Sequence, residues 1–117
     1  MFLTKEFTFD AAHYLTKYHG KCENLHGHTY KLQVTIEGKP DSEDMIMDFV
    51  ELKKFVNKKV VDKLDHSSLN DTFENPSVEV MVVWIWDKLK DLPKPEVKLH
   101  EIKLWETATS FVTYAGN

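Results

Sequence analysis

His26-Gly27-His28-Thr29-Tyr30-Lys31-Leu32-Gln33-Val34-Thr35-Ile36-Glu37 decides the fold. From His28 onward, Tyr30, Leu32, Val34 and Ile36 alternate with Lys31, Gln33, Thr35 and Glu37, the pattern of a half-buried strand. Gly38-Lys39-Pro40-Asp41 ends it. His26 and His28 are in phase with the apolar row. An extended backbone carried upstream therefore aims both imidazoles at one point on the buried side, and Gly27 leaves that point uncrowded. A buried imidazole pair needs a partner, and a metal is the natural one. A catalytic zinc takes about three protein donors and keeps one position open. The third donor is His13, in Ala11-Ala12-His13-Tyr14.

Upstream, Leu3, Phe7 and Phe9 face one way and Thr4, Glu6 and Thr8 the other, so Phe2 to Phe9 reads as a strand antiparallel to the first, with Phe2 the exception on the polar face. Tyr14 to Asn24 has no steady period and predicts a long functional loop containing Cys22. Beside Lys21 and near a metal, this thiol is a candidate for a lowered pKa, because both cations favour the thiolate. A single cysteine is otherwise a small buried hydrophobe.

Downstream, Asp48-Phe49-Val50-Glu51 resembles a capping box. Phe49, Leu52, Val56, Val60 and Leu64 then fall at helical spacing, widened by Phe55. Leu64 to Asp71 is polar and predicts a loop. A second helix is expected from Asn75-Pro76, with Asn75 as cap, to about Lys90, burying Val78, Met81, Val82, Ile85 and Leu89. Val83, Trp84 and Trp86 extend its apolar surface. Val97 to Trp105 is a strand whose apolar phase changes between Leu99 and Ile102, as at a bulge, and Phe111 to Tyr114 is a last short strand. The expected class is α+β: an antiparallel ββααββ sheet with two helices on one face.

The 117 residues, 42% hydrophobic, predict one domain spanning residues 1–117. A net charge of −4 argues against a nucleic-acid surface. All fifteen basic side chains are Lys, so phosphate recognition must use ammonium groups and backbone amides rather than a guanidinium fork. One Cys excludes an internal disulfide. With no signal-type N-terminus and no apolar run of spanning length, the expected home is cytoplasmic, without a membrane partner.

Three further features could join the histidines. Asp65-His66 follows a helix end, where a carboxylate can orient an imidazole as general acid or base. Glu106 is in phase with Ile102 and Leu104 and so faces inward at a strand end. Glu79 lies in the first turn of the second helix. Taken singly, Asp65 and Glu79 read as solvated helix-end charges, His66 and His100 as ordinary histidines, and Glu106 as an edge charge.

Together these residues resemble the 6-pyruvoyl-tetrahydropterin synthase superfamily over essentially the whole chain. The resemblance rests on Phe7-Thr8-Phe9-Asp10-Ala11-Ala12-His13, Cys22-Glu23-Asn24-Leu25-His26-Gly27-His28, Met47 to Lys53, Leu64 to Asn70, Glu74 to Glu79 and Trp105-Glu106-Thr107. The three-residue gap between Cys22 and His26 resembles its carboxy-tetrahydropterin branch, of the queuosine pathway. The resemblance implies a tunnelling fold whose sheets close a barrel in trimers, two trimers stacking into a hexamer. It implies a zinc lyase acting on 7,8-dihydroneopterin triphosphate at subunit interfaces, with His13, His26 and His28 on Zn2+. By the same carry-over Cys22, Asp65 and His66 transfer protons and Glu106 anchors the pterin, with Glu79 beside it. Val78 departs from the Thr or Ser common before that glutamate, which bears on substrate detail. Apart from the resemblance, Lys21 and Lys31 are candidates for the triphosphate by their nearness in sequence alone. Competing readings are a pyruvoyl-forming or sepiapterin-cleaving relative, and a noncatalytic metal-binding subunit.

Overall fold

The computed structural model describes residues 1–19 and 24–117. Among them the strands are β1 (Phe2–His13), β2 (His26–Glu37), β3 (Ser67–Ser68), β4 (Lys98–Thr107) and β5 (Ser110–Tyr114), in the sheet order β3-β1-β2-β4-β5. All pairings are antiparallel except β1 with β3. The alternating strands therefore form the expected sheet, with one short parallel addition.

β1 runs four residues past Phe9 and pairs with the whole of β2, so that His13 stands opposite His26 and Ala11 opposite His28. Phe7, Phe9, Tyr30, Leu32, Val34, Ile36, Ile102 and Leu104 make the buried face of the sheet. The phase change in β4 is a bulge: Thr35 pairs with Glu101 and Ile36 with Leu99, leaving His100 as the extra residue. His100 is exposed and stacks on Phe2 at 4.3 Å between ring centroids, which accounts for the aromatic exception on the polar face of β1.

The first helical arm is α1 (Phe49–Val56), a π-helical turn (Asn57–Val61) and α2 (Asp62–Leu64), continuous in sequence. Asp48 caps it by accepting from the N–H of Val50, the second helical residue, rather than from that of Glu51. The wide π turn brings both Val60 and Val61 inward beside Leu52, Val56 and Leu64. Phe49 is not in that stripe: it is 53% exposed, in an apolar groove with Phe2 and Met45.

The second arm, α3 (Val78–Leu89), starts later than its proline suggests. Ser77 is the cap, its hydroxyl accepting from the N–H of Val80, and Asn75 is used elsewhere. Met81, Val82, Ile85 and Leu89 are buried, Val78, Trp84 and Trp86 pack against the core, and Val83 is exposed. The polar stretch after Leu64, expected as loop, contains β3, which adds to β1 at Ala11 and Ala12. No helix among the described residues is long and apolar enough to cross a membrane.

A latch holds the connection between β2 and α1. Lys94 Nζ donates to Asp41 Oδ2 at 2.7 Å and to the Ile46 carbonyl at 2.6 Å, while Asp41 Oδ1 accepts from the N–H groups of Glu43 and Met45. The Lys94 bond and then those two N–H groups lower the Asp41 pKa from 3.8 to about 2. A carboxylate whose pKa falls on folding contributes stability above its unfolded value and loses it as pH falls through the folded one. Lys94→Met is therefore expected to lower Tm at neutral pH and to flatten the fall in Tm between about pH 4 and pH 2. Thermal unfolding followed across that range checks both effects.

Candidate functional site

The paired ends of β1 and β2 gather three imidazoles. One ring nitrogen from each of His13, His26 and His28 lies within 4.8 Å of the others. Their rings meet edge to face, with centroids 4.7 to 5.0 Å apart. His13 is 1% exposed.

Hydrogen bonds fix two tautomers. His13 Nδ1 is 2.9 Å from the Pro76 carbonyl oxygen and His26 Nδ1 is 2.8 Å from that of Asn24. A carbonyl only accepts, so both Nδ1 atoms carry the hydrogen and, in neutral rings, both Nε2 atoms present lone pairs. These two Nε2 atoms are 3.1 Å apart. Lone pairs facing at that distance repel unless a cation lies between them. Two nitrogens about 2.05 Å from a tetrahedral zinc stand about 3.3 Å apart, so the donor set fits a metal. Ligand imidazoles whose other nitrogen donates to a carbonyl are the usual support of such centres.

Glu106 comes to the same place. The β4–β5 ladder slips between Trp105 and Thr107, leaving Glu106 as a bulged residue, and its Oε1 lies 3.3 Å from His28 Nε2. Bulges commonly re-aim a side chain beside a functional site.

Asp65 and His66 are also brought into contact. Asp65 Oδ2 lies 3.0 Å from His66 Nδ1. His66 has φ +57, in the left-handed region uncommon for a residue with a side chain. Asp10 holds this bend from both sides: its N–H donates to Asp65 Oδ1 at 2.9 Å and its carbonyl accepts the His66 N–H at 2.6 Å. The Asp10 N–H, and after it the bond to His66, lower the Asp65 pKa. An ionised Asp65 accepts from His66 Nδ1–H and leaves Nε2 to take or give a proton. Strain at such a position is often retained for function.

Asp10 lies in the motif that ends at His13, but the sequence assigns it no site role. Its carboxylate accepts from Thr29 Oγ1 at 2.5 Å and, with Asp65 and His66, forms a second group of possible ligand atoms within 4.8 Å of one another. Its phase in β1 marks only a polar-face residue, so no local signal distinguishes it. His28 and His66 line a common depression of about 590 Å³ with Ala11, Ala12 and Gly27 among its walls. A Cβ on Gly27 would meet only the Ala11 carbonyl, at 3.7 Å, so this wall is open.

Glu79 is exposed in the first turn of α3 and belongs to neither cluster. Lys31 lies 3.7 Å from Glu6 and over the Trp105 ring at 4.3 Å. Cys22 and Lys21 lie outside the described residues.

A sheet backed by two helical arms, with an imidazole cluster of metal-binding type at the end of its long strand pair, defines a tunnelling-fold protein. The family model described as 6-pyruvoyl tetrahydropterin synthase matches residues 2–117, and the chain belongs to that family. It is 37% identical to the 6-carboxy-5,6,7,8-tetrahydropterin synthase of Haemophilus influenzae, over 96% of each chain. It is 40% identical to the dihydroneopterin monophosphate aldolase of Pyrococcus furiosus over 85% of this chain and 83% of the relative. The Caenorhabditis elegans 6-pyruvoyl tetrahydropterin synthase structure superposes with a TM-score of 0.86 at 27% identity, covering 100% of this chain and 96% of that one.

Proposed function

We propose that the protein is a zinc-dependent 6-carboxy-5,6,7,8-tetrahydropterin synthase, converting 7,8-dihydroneopterin triphosphate and one water to the carboxy-tetrahydropterin with release of acetaldehyde and triphosphate. The observation that carries this reading is the 3.3 Å approach of Glu106 to His28. It puts a carboxylate, which can accept the paired N–H donors of an aminopyrimidinone edge, beside the imidazole cluster. The three-residue gap between Cys22 and His26 favours this product over a pyruvoyl one.

His13, His26 and His28 would hold the metal, which when bound supplies Lewis acidity toward the oxygens of the substrate side chain. Glu106 fixes the pterin so that its side chain reaches that centre. His66, held by Asp65, takes or returns a proton through Nε2, and the Cys22 thiolate transfers the other. Triphosphate leaves as electrons move toward it. Glu79, exposed in the first turn of α3, would contribute to pterin binding. Val78 packs toward the core, so a hydroxyl before Glu79 is dispensable in this reading.

The assembly we infer is a cytoplasmic homohexamer of two stacked trimers, with sites at subunit interfaces. Its support is the sheet itself: among the described residues β5 ends the sheet on one side, and on the other β3 covers β1 only at Ala11 and Ala12. Long open edges invite strand pairing, and closing a barrel removes them.

Metal removal tests the reading. Chelator-treated protein is expected to release no triphosphate from 7,8-dihydroneopterin triphosphate, and about one zinc per chain should restore release. Full activity in metal-free protein would exclude it.

A further inference from the structure

We propose that Asn70 and Asn75 are positioning residues for the metal centre, fastening the chain after His13 to the segment that runs from the Asp65–His66 pair into α3. The inference rests on His13, His26 and His28 being a metal centre.

Residues 65–76 follow residues 10–16 in parallel. Asp65 and His66 bond to the main chain of Asp10, and Ser67 and Ser68 pair with Ala11 and Ala12. β3 ends there, and β1 one residue later, at His13. One step further, the half-buried Asn70 side chain takes the place of a peptide group: Tyr14 N–H donates to its Oδ1 at 3.0 Å, and its Nδ2 donates to the Tyr14 carbonyl at 3.0 Å. Asn75, released from capping by Ser77, then accepts the Thr16 N–H at 2.9 Å, and Thr16 Oγ1 reaches the Glu74 carbonyl. Pro76 directs its carbonyl at His13 Nδ1.

The Pro76 carbonyl shares its peptide plane with the N–H of Ser77, so whatever holds that N–H sets its direction. The main-chain carbonyl of Asn75 accepts it at 2.9 Å, and the Asn75 side chain ties the same segment to Thr16. The two asparagines thus bracket His13: Asn70 holds the residue after it, and Asn75 holds the peptide that orients its ring. Outer partners of ligand histidines typically change metal affinity by about 10–100-fold. Asn70 uses its donor and its acceptor, whereas the side chain of Asn75 uses only its acceptor in these contacts.

That difference sets the test, which is Co2+ affinity of the metal-free full-length chain, read from the metal's visible absorption, with folding checked by circular dichroism. Asn70→Ala and Asn75→Ala are expected to bind about tenfold or more weakly. Asn70→Asp, which loses the donor to Tyr14, should also bind weakly, while Asn75→Asp, which keeps the acceptor for Thr16, should retain affinity. Lys94→Met, remote from the centre, should lose Tm without losing affinity, separating positioning from general stability. If the alanine variants do not fold, the two near-isosteric aspartates decide. Wild-type affinity in Asn70→Asp, equal losses in both aspartates, or an equal loss in Lys94→Met would overturn the proposal. Wild-type protein that binds no Co2+, or binds it unchanged in His13→Ala, would overturn the metal centre as well. Binding that depends on His13 but not on the asparagines would overturn this inference alone.

Discussion

His26→Ala is expected to weaken metal binding by about a hundredfold or more and to reduce turnover to background, the largest effect foreseen for a single substitution. Structural zinc sites are held by about 10–16 kcal/mol in all, so each donor carries a few kcal/mol. His26 carries its share through a ring whose Nδ1 is fixed by Asn24 and whose Nε2 faces that of His13 at 3.1 Å. The same change at His100, exposed and stacked on Phe2 at the bulge of β4, is expected to leave metal content and rate unchanged. Metal analysis after gel filtration and initial rates on the pair check the contrast. Loss of metal from both would mean general unfolding rather than removal of a ligand.

Cys22→Ala is expected to keep the metal and lower turnover by about 10²–10⁴, the range for removing a positioned acid or base. The expectation comes from the thiol beside Lys21 and four residues before His26, together with the family resemblance. Metal content measured alongside the rate separates proton transfer from ligation, because loss of metal with the thiol would make Cys22 a fourth donor. His66→Asn, keeping the metal while losing rate, is the matching expectation across the site.

The imidazole centre was legible because strand periodicity carries direction. His26 and His28 share a phase with Tyr30 and Leu32, and residues in phase on a strand must face one way. His13 was legible only as a third donor by residue type; its place opposite His26 comes from β1 continuing past Phe9, which the structure supplies. The first helical arm was legible as a stripe, but its π turn was not: one extra residue in a turn depends on packing against the sheet. Phe49 shows the same limit, since helical spacing cannot tell a core position from one facing a groove at the helix start.

Asn75 was misplaced for a physical reason. Asn before Pro is a good cap in isolation, yet Ser77 serves as well, and the Thr16 N–H competes for the asparagine from across the chain. The parallel strand β3 and the clamp of Asp10 on the Asp65–His66 pair likewise depend on contacts between residues more than fifty positions apart. Only Asp65-His66 itself, adjacent in sequence, could be read in advance. Glu106 was read as inward by phase, and the bulge that brings it to His28 supplies the geometry phase alone could not.

The most direct test of the central claim is anaerobic incubation of the zinc-loaded protein with 7,8-dihydroneopterin triphosphate, with mass analysis of the pterin and of the small carbonyl fragment. The account predicts 6-carboxy-tetrahydropterin together with acetaldehyde. A pyruvoyl-tetrahydropterin without a two-carbon fragment would move the protein to the sister reaction, and intact substrate beside bound zinc would contradict the proposed activity.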